Sequence, residues 1–490
     1  MRPATRELGG QQDLLRSRLD QIVDLTHPLA KLARNIDWAF LEQRLGAVYT
    51  DGPGRPPLPT RLMAGLAILK HMHNLSDEVL CERWLENPYY QLLCGAEFFC
   101  HKLPFDRSSM TRWRQRMGEE KLIALLQESL HLATRSGAAK PADFTRVIVD
   151  TTVQPKAITF PTDAKLLQRA RERLVTLAHK HGVKLRQSYA RVGKFALIRH
   201  QRYAHAKQFK RANRALKTLR TYLGRVSRDI GRKIAGDVSL KDIFAQPLRL
   251  ARRVHEQRQR QRGPKVYSLH APEVECIGKG KAHRPYEFGV KISVATPLQR
   301  CRGGQFVAHV AALPGNPYDG HTLAKVIPAI TQQIGAPLTR VIADAGYRGH
   351  KAPHTKGLRV YTSGQKRGVT DQIKRELRRR AAVEPVIGHL KEEHRMGRNY
   401  LAGRAGDATN AVLAAVGYNF RLLLVWLAEL WRALWLVTLI DDPASTPTAY
   451  AARKCVLHGR RYRGSEYPKR VPVHVGPRPN RPGRPEASRR

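Results

Sequence analysis

Through residues 14–134 apolar side chains recur every three or four positions, the spacing of helices that bury one face. Residues 62–69 (Leu-Met-Ala-Gly-Leu-Ala-Ile-Leu) are apolar without interruption and predict a buried helix. Ser76, with Asp77 and Glu78 after it, has the make-up of an N-cap and acidic first turn. It opens a helix through Val79, Leu80, Trp84 and Leu85 that ends near Asn87-Pro88. A further helix, started by Ser108 or Ser109, carries Arg112, Trp113, Arg114 and Arg116. Short helices, the last rich in arginine, suit a helix-turn-helix DNA-binding unit and equally suit plain helical packing.

The period then changes. Residues 145–150 (Thr-Arg-Val-Ile-Val-Asp) form a β-branched run closed by an acid, which reads as a buried strand ending at Asp150. Residues 164–263 are helical again. Strands are expected at 265–269, 287–294 and 305–310, with the glycine- and lysine-rich link 278–284 as a hairpin loop. A helix over 320–333 leads to the apolar strand 340–343, which ends at Asp344; a strand at 358–361 and a helical segment over 370–398 follow. This order predicts an α/β fold: a mixed sheet with helices packed on it, an all-helical N-terminal domain, and a helical insertion after the first strand.

The domains expected are 1–140, helical and DNA-binding; 141–163 with 264–425, the core; 164–263, the insertion; 426–450, an apolar helix; and 451–490, a basic tail without fixed structure. Residues 422–440 approach membrane-spanning length. Glu429 and Arg432 lie inside that stretch on one helical face, so a buried amphipathic helix is expected and no membrane span. The Pro-Gly-Arg-Pro pieces at 53–56 and 482–485 suit proline-rich linkers or minor-groove arms.

A hydrophobic fraction of 42% over 490 residues excludes a disordered chain. The 87 lysines and arginines against 40 acids give a charge of +47, which points to a polyanionic partner, and nucleic acid is the commonest. Residues 164–263 hold 28 of those cations and 5 acids, a density that suits a DNA-tracking surface better than a solvated face, where signs usually mix. The six cysteines form no CxxC pair, and residues 1–10 have no apolar leader, so a reducing, cytoplasmic setting at the nucleoid is expected.

Cleaving a phosphodiester needs a nucleophilic oxygen, in-line geometry and neutralised charge, which two divalent ions about 4 Å apart supply when a few carboxylates converge on them. Asp150 and Asp344 each close an apolar strand. Glu384 follows Arg380 at i+4, and Lys391 returns to nearly the same face two turns later. Each acid alone also has a plain reading, the aspartates as caps or turn residues and Glu384 as a surface ion pair.

The spacing Arg380-x3-Glu384-x6-Lys391 resembles the Y-R-E-K signature of the DDE transposases of bacterial insertion sequences. Val341-Ile-Ala-Asp344-Ala-Gly-Tyr-Arg-Gly is similar to their second-aspartate motif. Gly315-Asn-Pro-Tyr-Asp-Gly-His321, Val149-Asp150-Thr-Thr-Val with Phe160-Pro-Thr-Asp163, and the stretch from Gly54-Arg-Pro to Pro88-Tyr-Tyr resemble the IS-five branch. The resemblance spans residues 30–425. It implies an RNase H-like core, Asp150, Asp344 and Glu384 as ligands of two Mg2+ ions (Mn2+ as a substitute), double-stranded DNA as partner through the element's inverted repeats and its target, and a homo-oligomer on DNA. Arg380 and Lys391 become phosphate clamps, and Tyr347, Arg348, Arg112, Arg114 and Arg116 are candidate DNA contacts. Asp319 and Asp163 lie inside matching motifs but stay outside the catalytic set, Asp319 as a possible cap of the following helix. Leu377 stands where the signature has tyrosine. The competing classes are a non-catalytic DNA-binding protein and an RNase H-like nuclease without strand transfer.

Overall fold

The computed structural model describes residues 17–49, 56–259, 261, 263–278 and 285–438, with side chains as far as Leu430. The tail 451–490, most of the link 278–284 and both Pro-Gly-Arg-Pro pieces, save Pro56, lie outside the described residues, as do the side chains of 431–440.

The N-terminal part consists of α1 (Leu19–Ile22), α2 (Pro28–Asn35), α3 (Trp38–Gly46), α4 (Thr60–Met72), α5 (Asp77–Glu86), α6 (Pro88–Leu93) and α7 (Arg107–Arg135). α4 is the uninterrupted apolar stretch, buried on every side from Leu62 to Met72. Ser76 caps α5 by accepting from Val79 N, and Asn87 both ends α5 and caps α6. α7 begins earlier than its serines suggest: Asp106 is the cap, accepting from Ser108 N, because a carboxylate competes well for a helix's first amides. Gly118 interrupts α7 at φ 62°, a conformation that costs glycine little.

A 3-10 turn (Pro141–Thr145) leads into β1 (Arg146–Pro155), which runs well past Asp150. Then come α8 (Asp163–Lys180), α9 (Ala190–His205), α10 (Phe209–Lys233) and α11 (Val238–Glu256), the basic insertion. They enclose a core of their own that includes Leu167, Leu174, Leu219, Leu223, Ile230, Phe244 and Val254. The chain re-enters the sheet through β2 (Glu275–Gly278), β3 (Tyr286–Pro297) and β4 (His309–Leu313); α12 (Asp319–Ile334), β5 (Arg340–Ala343), β6 (Arg359–Thr362), α13 (Asp371–Arg378), α14 (Val383–Glu392) and α15 (Gly403–Thr438) complete it.

Three strand expectations are corrected. Residues 265–269, between Pro264 and Pro272, form no strand, and the first hairpin arm is β2 instead. The 305–310 strand starts only at His309. β1 does not end at Asp150, because Thr151, Thr152 and Val153 continue the β-branched run and β3 pairs with it as far as Pro155–Gly289. The helical segment 370–398 is likewise divided, a 3-10 turn (Arg379–Ala382) separating α13 from α14.

The six strands run β2-β3-β1-β5-β6, with β4 also on β3. β1 is antiparallel to β3 and parallel to β5, and β5 is parallel to β6. Alternation along β1 decides what each face meets. Val147 and Val149 pack with Leu323, Ile327 and Ile330 of α12. Ile148 points the other way, into a large core shared with the N-terminal helices and α15, including Leu126, Leu130, Ile292, Phe306 and Val412. Within α15, residues 403–430 are long and apolar enough to span a membrane, but 67% of their most apolar window is buried in this core.

Candidate active site

The two aspartates meet through strand register. β1 and β5 pair as Arg146–Arg340, Val147–Val341 and Ile148–Ile342, and the same offset continued two residues brings Asp344, just past the end of β5, level with Asp150. β5 stops at Ala343, which leaves the sheet open beside Asp150 although β1 and β3 continue. A carboxylate can therefore sit in mid-strand with its oxygens in a cleft. Each is fixed by a main-chain donor: Thr151 N–H to Asp150 Oδ1 at 2.8 Å, and Gly346 N–H to Asp344 Oδ1 at 2.8 Å. The second contact makes Asp344 the cap of a short 3-10 turn (Ala345–Tyr347), so its capping role and its place at the strand end coexist.

Glu384 arrives from the first turn of α14. Arg380 joins it to the sheet, with Nη1 3.3 Å from Asp150 Oδ2 and Nη2 2.5 Å from Glu384 Oε1. The i to i+4 pair forms even though Arg380 lies in the 3-10 turn rather than in the helix. Burial raises the Asp150 carboxyl to about 6; the Thr151 amide and Arg380 oppose that rise, while Asp344 and Glu384 add to it. The mutual repulsion records that three carboxylates share one region. Tyr347 is wholly buried beside them; burial raises its hydroxyl pKa, and Asp150, Asp319 and Asp344 raise it further.

Asp319 belongs to this site, and reading it as a cap hid it. It is the first residue of α12, and its side chain caps nothing. Its Oδ1 accepts instead from Thr151 Oγ1 at 3.1 Å and from Lys291 Nζ at 3.0 Å. Lys291 also donates to Pro317 O at 2.8 Å, pinning the loop before α12 to β3. A methyl group on Gly346 would lie 3.0 Å from Asp344 Oδ1 and 3.7 Å from Asp319 Oδ2, so Asp319 turns its other oxygen toward the aspartate pair. The available signal was β1 alternation: Asp150 faces Arg380, so Thr151 must face α12.

Other expected contacts lie elsewhere. Lys391 stands 3.9 Å from Glu287 on β3. Arg348 is exposed next to Tyr347, and Leu377 is half-buried against the large core. Arg112 and Arg116 are exposed on α7, with Arg116 over the Tyr49 ring. Arg114 faces inward and is corrected as a DNA contact: 7% exposed, it donates to both oxygens of Asp77 at 3.0 and 2.7 Å. Tyr347 is corrected for the same reason, since at 0% exposure it meets no DNA surface. Asp163 accepts from Gln257 at 3.3 Å at the base of the insertion.

All the donors here are carboxylate oxygens, the chemistry of a hard divalent ion. Among the described residues no three acids, histidines or cysteines already converge as a closed metal cage, since Arg380 occupies the space between Asp150 and Glu384. The level pair Asp150 and Asp344, with Glu384 joined to it through Arg380, fits such an ion.

Residues 17–116 match the family described as Transposase domain (DUF772), and residues 253–420 match the Transposase DDE domain. The chain is 51% identical over 209 residues to the protein called "Uncharacterized protein ORF8 in nfe locus" from Rhizobium meliloti, covering 43% of this chain and all of that one. No solved structure matches. The second match includes Asp344, Arg380 and Glu384 together with the Asp319 loop. The chain thus carries two transposase domains, the second of them a DDE domain that contains Asp344 and Glu384.

Proposed function

We propose that the protein binds the terminal inverted repeats of an insertion sequence and catalyses metal-dependent cleavage and strand transfer of DNA, at a site built from Asp150, Asp344 and Glu384. The observation that carries this reading is that the register of β1 and β5 brings Asp344, the residue just past β5, level with Asp150, with Arg380 joining Asp150 to Glu384. The strand order, three antiparallel strands continued by two parallel ones, supports an RNase H-like core.

The family depends on a divalent metal, and Asp150, Asp344 and Glu384 are the residues that would hold Mg2+, or Mn2+ in its place. When bound, such ions supply a deprotonated water or 3′ hydroxyl and neutralise the leaving oxygen. The chain's own residues do the positioning. Thr151 and Gly346 amides fix one oxygen of each aspartate. Arg380 holds Glu384 against Asp150 through the two arms of its guanidinium. Asp319 and Lys291 fix the loop that closes the cleft's opposite wall.

The test compares Asp150→Asn and Asp344→Asn with the native chain, measuring binding and cleavage of a labelled element end in Mg2+. Retained binding with cleavage lost by a thousandfold or more is expected, within the range typical of removing a group central to catalysis. Unchanged cleavage would sink the site, and unchanged transposition would favour a DNA-binding role alone. Product ends that are cut but never joined would favour the nuclease reading.

A further inference from the structure

We infer that the solvent face of α10 in the insertion docks the sugar-phosphate backbone of double-stranded DNA, ending in an arginine-lined pocket that takes one phosphate. The inference rests on the chain's acting on DNA and adds where, outside the active site, the duplex lies.

Buried positions of α10 (Ala212, Leu219, Leu223, Val226 and Ile230) define the face packed on the insertion's core. Arg211, Arg214, Arg225, Arg228 and Arg232 fall on the opposite side at three- and four-residue steps, and all five are exposed. Thr218 and Thr221 complete the same line; their hydroxyls donate to the carbonyls of Arg214 and Lys217, so the middle of the line is short and uncharged. From Arg211 to Arg232 the line runs about 31 Å at about 1.5 Å per residue. One turn of duplex is about 34 Å.

A solvated helix face usually mixes charges. Residues 209–233 instead hold nine lysines and arginines and one acid, Asp229. Among the described residues Asp229 is the only carboxylate within ion-pair range of the line's arginines, 3.9 Å from Arg232. It is buried and engaged with Arg186 N–H at 2.9 Å and Lys233 Nζ at 3.3 Å, so it anchors the loop before α9. Among the described residues Arg211, Arg214, Arg225 and Arg228 have no carboxylate in ion-pair range.

That loop completes a cavity of about 220 Å³ lined by Arg186, Tyr189, Arg225, Arg228, Asp229 and Arg232. Tyr189 is held at φ 53°, an uncommon conformation for a residue with a side chain, and its ring stacks on Tyr222 at 4.5 Å. Arg225 donates to its hydroxyl at 3.4 Å. A strained, ring-buttressed loop that presents an arginine beside three others is a fixed receptor for a tetrahedral anion.

The test measures binding of the full chain to a random-sequence duplex about three helical turns long across a salt series. Replacing Arg225, Arg228 and Arg232 together by glutamine should make the slope of log K against log salt shallower by about 0.9, because the three arginines hold one phosphate between them. Replacing exposed Lys180, Arg199 and Lys241, which lie off the line, removes the same charge and should leave the slope unchanged. The triple change to lysine should keep the native slope, which separates lost charge from lost folding. Equal effects of the two glutamine sets, or a native slope in the Arg225/Arg228/Arg232 variant, overturn the inference. Native protein that shows no salt-dependent DNA binding overturns the DNA-acting reading along with it.

Discussion

Arg380 Nη1 stands 3.3 Å from Asp150 Oδ2, 230 residues away in the chain, while Nη2 of the same guanidinium holds Glu384. The third acid is thus positioned by an arginine rather than by its own backbone. Replacing Arg380 by glutamine should lower cleavage about a hundredfold, the loss typical when one preorganised charge partner is removed. Lysine cannot present two donors in a fixed fork and should restore no more than about a tenth of the activity. Single-turnover cleavage of an element end measures both; native rates in Arg380→Gln would remove the arginine from the mechanism.

Asp319 holds Thr151 and Lys291 around the cleft without capping its helix. Asp319→Asn should slow cleavage about tenfold and leave DNA affinity unchanged, since displacement of the wall by a fraction of an ångström disturbs alignment and not the basic surface. Affinity that falls in parallel with rate would assign Asp319 a binding role instead.

Lys156 is a buried ammonium held by Glu273 at 2.9 Å and Asp407 at 2.8 Å, which ties the base of the insertion to α15. Lys156→Met leaves two nearly buried carboxylates unpaired. Unfolding free energy should drop by about 3–5 kcal/mol, read from denaturant midpoints. A loss below about 1 kcal/mol would show that the carboxylates find other partners.

At Gly417 of α15 a Cβ would run into the backbone of His71 on α4. Gly417→Ala should therefore destabilise by about 2 kcal/mol or more despite alanine's better helix propensity. A stabilised variant in thermal unfolding would contradict that close approach.

His73 is held down to about 4 by burial, helped by Arg421, Arg83 and His394, and burial also lowers His71 and His394. In the unfolded chain these rings titrate near 6.5. As pH falls through about 6.5 the unfolded state therefore takes protons first, and stability declines until about pH 4, where His73 protonates in the fold as well. Melting temperature should fall steadily over that window, and His73→Gln should flatten the curve. A native protein equally stable at pH 7 and pH 5 would refute it.

The sequence by itself determined what is local and periodic. α4, the Ser76 cap, α12, β5 and the Arg380–Glu384 pair are all set by residues within a turn or two of one another, where spacing alone decides who is neighbour to whom. What the tertiary structure decided is long-range. Asp150 lies in mid-strand because β3 extends beyond it while β5 does not, and no feature near residue 150 encodes where a strand almost two hundred residues later will stop. Asp319 entered the site, and Arg114 left the surface, for the same reason: a charged side chain's partner, Lys291 in one case and Asp77 in the other, is chosen by the packing of whole elements. Register and packing depend on cores assembled from distant segments, so they appear only once the chain has folded.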